Sequence, residues 1–160
     1  MKLRNDRYYI AYGSNLNQGQ MSYRCPGATP VGKITLKNHR LMFRGAPGNT
    51  HATVEPAEGY TVPVIVWKIS QQNEMSLDHY EGVPRYYTKE YIPLLIDGDP
   101  HDALIYIMAK GNPTGAPSKY YYEAVRSGYI QFGLDTQILE KALEESVNDT
   151  EVYYENEFIG

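Results

Sequence analysis

Tyr8-Tyr9-Ile10-Ala11-Tyr12-Gly13-Ser14-Asn15-Leu16 decides how the rest of the chain is read. The hydrophobic run Tyr8 to Ala11, carried on to Tyr12, reads as a first strand. Gly13, Ser14 and Asn15 end it, and Asn17 to Arg24 reads as a short helix stopped by Pro26 and Gly27. A strand that breaks at Gly-Ser-Asn and leads into a helix has two readings. One is a tight connection in which Gly13 takes an unusual φ and Asn15 starts the helix. The other is functional: the turn leaves backbone N–H groups clustered and unpaired, a site for an anion or an oxyanion.

Outward from that turn, Val31 to Lys37, Arg40 to Arg44, Ala52 to Glu55 and Val62 to Ile69 read as strands. Gly45 to Asn49 reads as loop. Ser70 is placed to cap a helix from Gln71 to Tyr80 or Glu81, and Gly82 supplies its stop. Tyr87 to Ile96 and Ala103 to Ala109 read as two strands, joined into a hairpin by the turn-forming Asp97-Gly98-Asp99-Pro100. Ser118 is placed to cap a helix to about Phe132, ended by Gly133. Asp135 is placed to cap another to about Val147, with Ile138, Leu139, Ala142 and Leu143 as its apolar stripe. Asn148 to Gly160 reads as an acidic tail, either frayed or forming an edge strand. Strands fill the first two thirds and helices the last, too sparsely interleaved for a parallel βα series. The expected class is α+β: a small curled or closed sheet with helices at its rim.

Composition narrows the function. At 160 residues the chain is long enough for one cored domain and short for two. A net charge of −4 without a basic cluster argues against nucleic-acid and anionic-membrane partners. No apolar run approaches the roughly 20 residues of a membrane helix, and the charged N-terminus lacks the apolar segment of a signal peptide. A cytoplasmic location is expected. Cys25 is the only cysteine and reads as a small structural residue. His39, His51, His79 and His101 lack ligand spacing, so no metal site is expected.

The chemistry is carried by single residues. Glu81 closes the run Leu77-Asp78-His79-Tyr80-Glu81-Gly82-Val83. A helix C-terminus is a poor place for a carboxylate unless something uses it. The same field, with partial burial, raises its pKa and suits it to acid–base work near neutral pH. Leu77 lies one turn earlier on the same face, whereas His79 points elsewhere. Ser14 as a nucleophile lacks both the G-x-S-x-G frame and a partner base, so the loop amides are the stronger candidates. Tyr86 and Tyr87 enter a strand on opposite faces, so one of them faces inward. Tyr121, Val125 and Gly128 share a helical face.

Tyr12 to Leu16, taken with Leu77-Asp78-His79-Tyr80-Glu81-Gly82-Val83, resembles the γ-glutamylcyclotransferase (AIG2-like) family. The resemblance also takes in Val64 to Lys68, Tyr106 to Met108, Pro117-Ser118, Gly128 and Gly133-Leu134, and spans nearly the whole chain as one domain. It implies a small mixed β-barrel-like sheet with flanking helices. It implies cyclisation of a γ-glutamyl amide to 5-oxoproline with release of the amine, a reaction of glutathione metabolism that needs no cofactor. The family's catalytic Glu maps onto Glu81, and its substrate-cradling loop onto Tyr12, Gly13, Ser14, Asn15 and Leu16. A substrate-contacting Tyr maps onto Tyr87, with Tyr86 as the alternative. A later one maps onto Tyr121, with Tyr120 one slip away. The expected partner is a small γ-glutamyl substrate, bound by a monomer or homodimer. Two other readings accompany this one: removal of a γ-glutamyl protecting group from a carrier-bound intermediate, and a non-catalytic binding module that keeps the pocket.

Overall fold

The computed structural model describes the backbone of residues 7–159 and the side chains of residues 7–148. Five strands form one sheet: β1 (Arg7–Ala11), β2 (Thr29–Arg44), β3 (His51–Ile69), β4 (Tyr87–Ile96) and β5 (Asp99–Met108). Their hydrogen-bonded order is β2-β3-β1-β5-β4. β1 sits at the centre, antiparallel to β3 from Arg7↔Ile69 to Ala11↔Ile65 and parallel to β5 at Tyr9↔Leu104. The sheet is therefore mixed. Four α-helices complete the expected α+β class: α1 (Gln18–Arg24), α2 (Gln71–Glu81), α3 (Lys119–Gln131) and α4 (Thr136–Ile159).

Two strands are longer than their sequence suggests. The segments Val31–Lys37 and Arg40–Arg44 join into β2, and Ala52–Glu55 and Val62–Ile69 join into β3. Each join is marked by an irregularity. Asn38 takes a positive φ of 57° and its side chain accepts from Gly59 N–H at 3.1 Å, while the register slips between Lys37 and His39. Pro56 and Gly59 are turn signals locally; residues 57–60 bulge out of the register, and the ladder to β2 resumes on both sides, at His39↔Pro56 and Lys37↔Thr61. The β4–β5 hairpin follows its turn chemistry: Asp97 and Gly98 both take positive φ, as a two-residue I′ turn requires. The C-terminal segment also departs from expectation. The backbone continues α4 through Ile159, so it is neither an edge strand nor a separate tail.

Local rules place α2. Ser70 Oγ accepts from Asn73 N–H (3.0 Å) and Asn73 Oδ1 accepts from Ser70 N–H (3.1 Å), a reciprocal capping box. Gly82, left-handed at φ 64°, ends the helix. One face of α2 is tied to the sheet. Leu77 is fully buried. Asp78 accepts from the Tyr106 hydroxyl at 2.6 Å and from Lys89 at 3.0 Å, and Glu74 takes Lys89 and Arg7. Glu81 lies three residues after Asp78 and four after Leu77, so these ties fix its azimuth.

α3 is capped by Ser118 and buries Val125, Gly128 and Tyr129. It lies against the turn after β1. A Cβ on Gly128 would stand 2.6 Å from Leu16 Cβ and 2.9 Å from Asn17 N. Gly128→Ala is therefore expected to destabilise the protein by about 2 kcal/mol, even though alanine gains about 1 kcal/mol in helix propensity. Urea unfolding checks this, and a more stable variant would contradict it.

Candidate active site

A cleft of about 460 Å³ opens where the turn after β1, the end of α2, the start of β3, β4 and α3 converge. The turn supplies donors. Residues Ser14 to Leu16 form a short 3-10 turn. Among the described residues, the N–H groups of Gly13, Ser14 and Asn15 meet no protein acceptor, whereas Leu16 N–H is spent on Gly13 O (3.0 Å). Leu16 is the exception among the loop candidates. It is fully buried, packs under Gly128 and does not line the cleft. Its part is to hold the turn down, so the donors come from Gly13, Ser14 and Asn15 alone.

Glu81 lines the same cleft, half-buried. Among the described residues its carboxylate has no hydrogen-bond or ion-pair partner. Burial raises its pKa to about 7, and the Arg24 guanidinium pulls the other way. The facing groups are phenols. Burial holds Tyr9, Tyr12 and Tyr87 well above the usual tyrosine range, and the Glu81 charge adds to this; Tyr121 moves the same way. All four are therefore neutral at any pH at which the carboxyl titrates.

Two of the tyrosines converge on the backbone of one residue, Ala52. Tyr87 donates its hydroxyl to Ala52 O at 2.8 Å, and the Tyr121 oxygen accepts from Ala52 N–H at 3.0 Å. Tyr12 donates to Tyr106 O. Gly13 permits this closeness: a Cβ there would meet the Tyr121 oxygen at 3.2 Å and Ala52 Cβ at 3.3 Å. The open pairs of sequence candidates separate here. Tyr121 is in the cleft, while Tyr120 is 83% exposed. Tyr87 lies inside, and Tyr86 also lines the cleft from its exposed mouth.

The chain matches the family model described as "Gamma-glutamyl cyclotransferase, AIG2-like" over residues 9–126. The chain belongs to this family. A γ-glutamylcyclotransferase of Homo sapiens is 29% identical over 150 residues, covering 88% of this chain and 79% of that protein. One of Mus musculus is 28% identical over 142 residues, covering 83% and 75%. A solved structure titled "Gamma-glutamyl cyclotransferase" superposes with a TM-score of 0.75 at 27% identity, covering 86% of each chain.

In this γ-glutamylcyclotransferase-family chain the cleft also holds residues that sequence reasoning did not single out: Tyr9, Tyr80, Asn49, His51 and Asn112. Tyr9 lies in the strand ahead of the loop and was readable only as a packing residue. His51 opens β3 with its ring edge-on to Tyr121 at 4.8 Å. Burial lowers its pKa, and a hydrogen bond to the Asn49 backbone partly offsets that. Its place in the cleft depends on pairing across the sheet, for which no local pattern exists. Cys25 is buried, with its thiol pushed up to about 11 by burial, as a structural residue would be.

Burying Glu81 has a consequence for stability. A carboxyl with a folded pKa near 7 and an unfolded value of 4.5 favours the native state fully below pH 4.5. That advantage is lost as pH rises through about 7. Glu81→Gln keeps the shape and removes the titration. Relative to wild type, the variant is expected to gain stability from pH 4.5 upward, reaching on the order of 2–3 kcal/mol above pH 7.5. Urea unfolding at pH 4.5 and pH 8 reads this, and an equal difference at both values would contradict it.

Proposed function

We propose that the protein is a γ-glutamylcyclotransferase that converts a small γ-glutamyl peptide or amine into 5-oxoproline and the free amine, with Glu81 as acid–base catalyst. One observation carries the reading. In a chain of this family, a carboxyl with a pKa near 7 lines the same cleft as three unpaired backbone donors. The cleft's volume is in the range that suits a dipeptide-sized ligand.

In this scheme the substrate's α-amine attacks its own γ-carbonyl carbon. The C–N bond of a five-membered lactam forms, and the bond to the departing nitrogen breaks. Both reactants belong to one molecule, so no bimolecular encounter has to be organised. The α-ammonium gives a proton to Glu81 before attack, Glu81 returns it to the leaving nitrogen, and the second proton shed by the attacking nitrogen as the lactam forms ends on the released amine. A pKa near 7 serves both steps, because the group is ionised often enough to accept and remains acidic enough to donate. The amides of Gly13, Ser14 and Asn15 receive the developing oxyanion or the α-carboxylate. Such a donor is typically worth about 3 kcal/mol of the barrier. Tyr12, Tyr87 and Tyr121 wall the substrate's side of the cleft and exclude water from the reacting atoms.

Glu81→Gln is expected to lower kcat for 5-oxoproline formation by about 10²–10⁴-fold with little change in KM. In wild type, kcat/KM is expected to fall on the acid side with a midpoint near pH 7. A panel of free γ-glutamyl dipeptides, γ-glutamyl amines and carrier-bound γ-glutamyl groups, followed by 5-oxoproline release, tests the substrate class. Turnover of the carrier-bound substrate alone would contradict the small-substrate reading. Near-wild-type turnover by the Gln variant would contradict the role of Glu81.

A further inference from the structure

Arg24 ends α1 outside the cleft lining, and neither the loop motif nor the Glu helix includes it. Its guanidinium nevertheless touches both. Nη1 donates to Asn15 Oδ1 and to Ser14 Oγ (3.2 Å), and the guanidinium carbon lies 3.6 Å from the centroid of the Tyr80 ring, next to Glu81 in sequence. On its other side, Asn15 Nδ2 donates to the Tyr9 hydroxyl oxygen at 2.9 Å. Tyr9 is 4% exposed and lines the cleft.

We propose that Arg24 is a positioning residue that sets the direction of a hydrogen-bond chain, Arg24 to Asn15 to Tyr9, so that the Tyr9 hydroxyl proton is offered to an acceptor oxygen of the bound substrate. The inventory of donors fixes the direction. A guanidinium only donates, so the Asn15 side-chain oxygen must face it. The amide NH₂ then faces Tyr9, whose oxygen accepts. A phenol has a single proton, and with Asn15 acting as donor that proton cannot go back to Asn15. Among the described residues no other acceptor takes it, and the ring is walled by Tyr106 edge-on at 5.8 Å. The cleft is the direction that remains. Stacking on Tyr80 holds the guanidinium in the plane that makes these bonds, and the position at the end of α1 favours a cation. Without Arg24 the Asn15 amide is free to turn over, and Tyr9 can then donate to Asn15 and withdraw its proton from the cleft.

The activity readout rests on the cyclotransferase reading, so the test has a second readout that does not. Arg24→Met and Tyr9→Phe are each expected to lower kcat/KM about ten-fold, compared at each variant's pH optimum because Arg24 also acts on Glu81. The double variant is expected to be no worse than Tyr9→Phe alone, since Arg24 acts through Tyr9. Arg24→Lys, which retains a cationic donor, is expected to restore most of the loss. Independently of turnover, the Asn15 side-chain amide hydrogens are expected to be protected from solvent exchange in wild type and Arg24→Lys and to lose protection in Arg24→Met. Multiplicative losses in the double variant, or unchanged Asn15 protection in Arg24→Met, would overturn the proposal. A wild-type protein without turnover would instead count against the cyclotransferase reading, and the exchange measurement would still decide the direction of the chain.

Discussion

Keeping the Glu81 carboxyl away from water is the costly step in this structure, and the surrounding elements are arranged so that nothing neutralises it. Tyr9, Tyr12, Tyr87 and Tyr121 approach it as phenols held in their neutral form. Among the described residues the cation that acts on it, Arg24, is committed to Ser14, Asn15 and the Tyr80 face. A lysine or arginine paired directly with Glu81 would remove the strain and return the carboxyl to the ordinary acidic range. The contrast lies two turns away on the same helix. Glu74 is paired with Arg7 and Lys89, and its pKa is lowered. One helix thus carries a structural carboxylate and a perturbed one, and their environments decide which is which.

The geometry around Glu81 comes from three contacts between elements far apart in sequence. Asp78 ties α2 to β4 and β5 through Lys89 and Tyr106. Ala52 accepts from Tyr87 of β4 through its carbonyl and donates to Tyr121 of α3 through its N–H. Gly128 lets α3 come within contact distance of Leu16 and so seats the donor turn. Loosening any of these would move one wall of the cleft relative to the others, and a displacement of about 1 Å is enough to cost a positioned reaction much of its rate.

Much of this was legible in the chain. Ser70, Gly82 and Ser118 mark helix ends by local chemistry, and the structure uses them as such. Glu81 and the Gly13-Ser14-Asn15 turn stand out because a carboxylate at a helix end and a broken strand are locally unusual. What local patterns could not give was pairing. Asn38, Pro56 and Gly59 look like strand ends until the partner strand is present to bridge them. Leu16 belongs to the loop motif, yet its amide closes a 3-10 turn and its side chain fills the core. Tyr9 and His51 line the cleft, and Arg24 touches the loop that does, only through contacts across the sheet or between helices, so nothing in their immediate sequence distinguishes them from packing or surface residues.

The proton transfers depend on Glu81 carrying a proton in the neutral range within the free protein. Carboxyl ¹³C NMR with labelled glutamate, assigned by comparison with Glu81→Gln, measures this directly. One glutamate is expected to titrate with a midpoint near pH 7 and to be absent from the variant. A Glu81 resonance titrating near 4.5, as an ordinary exposed carboxylate does, would contradict it.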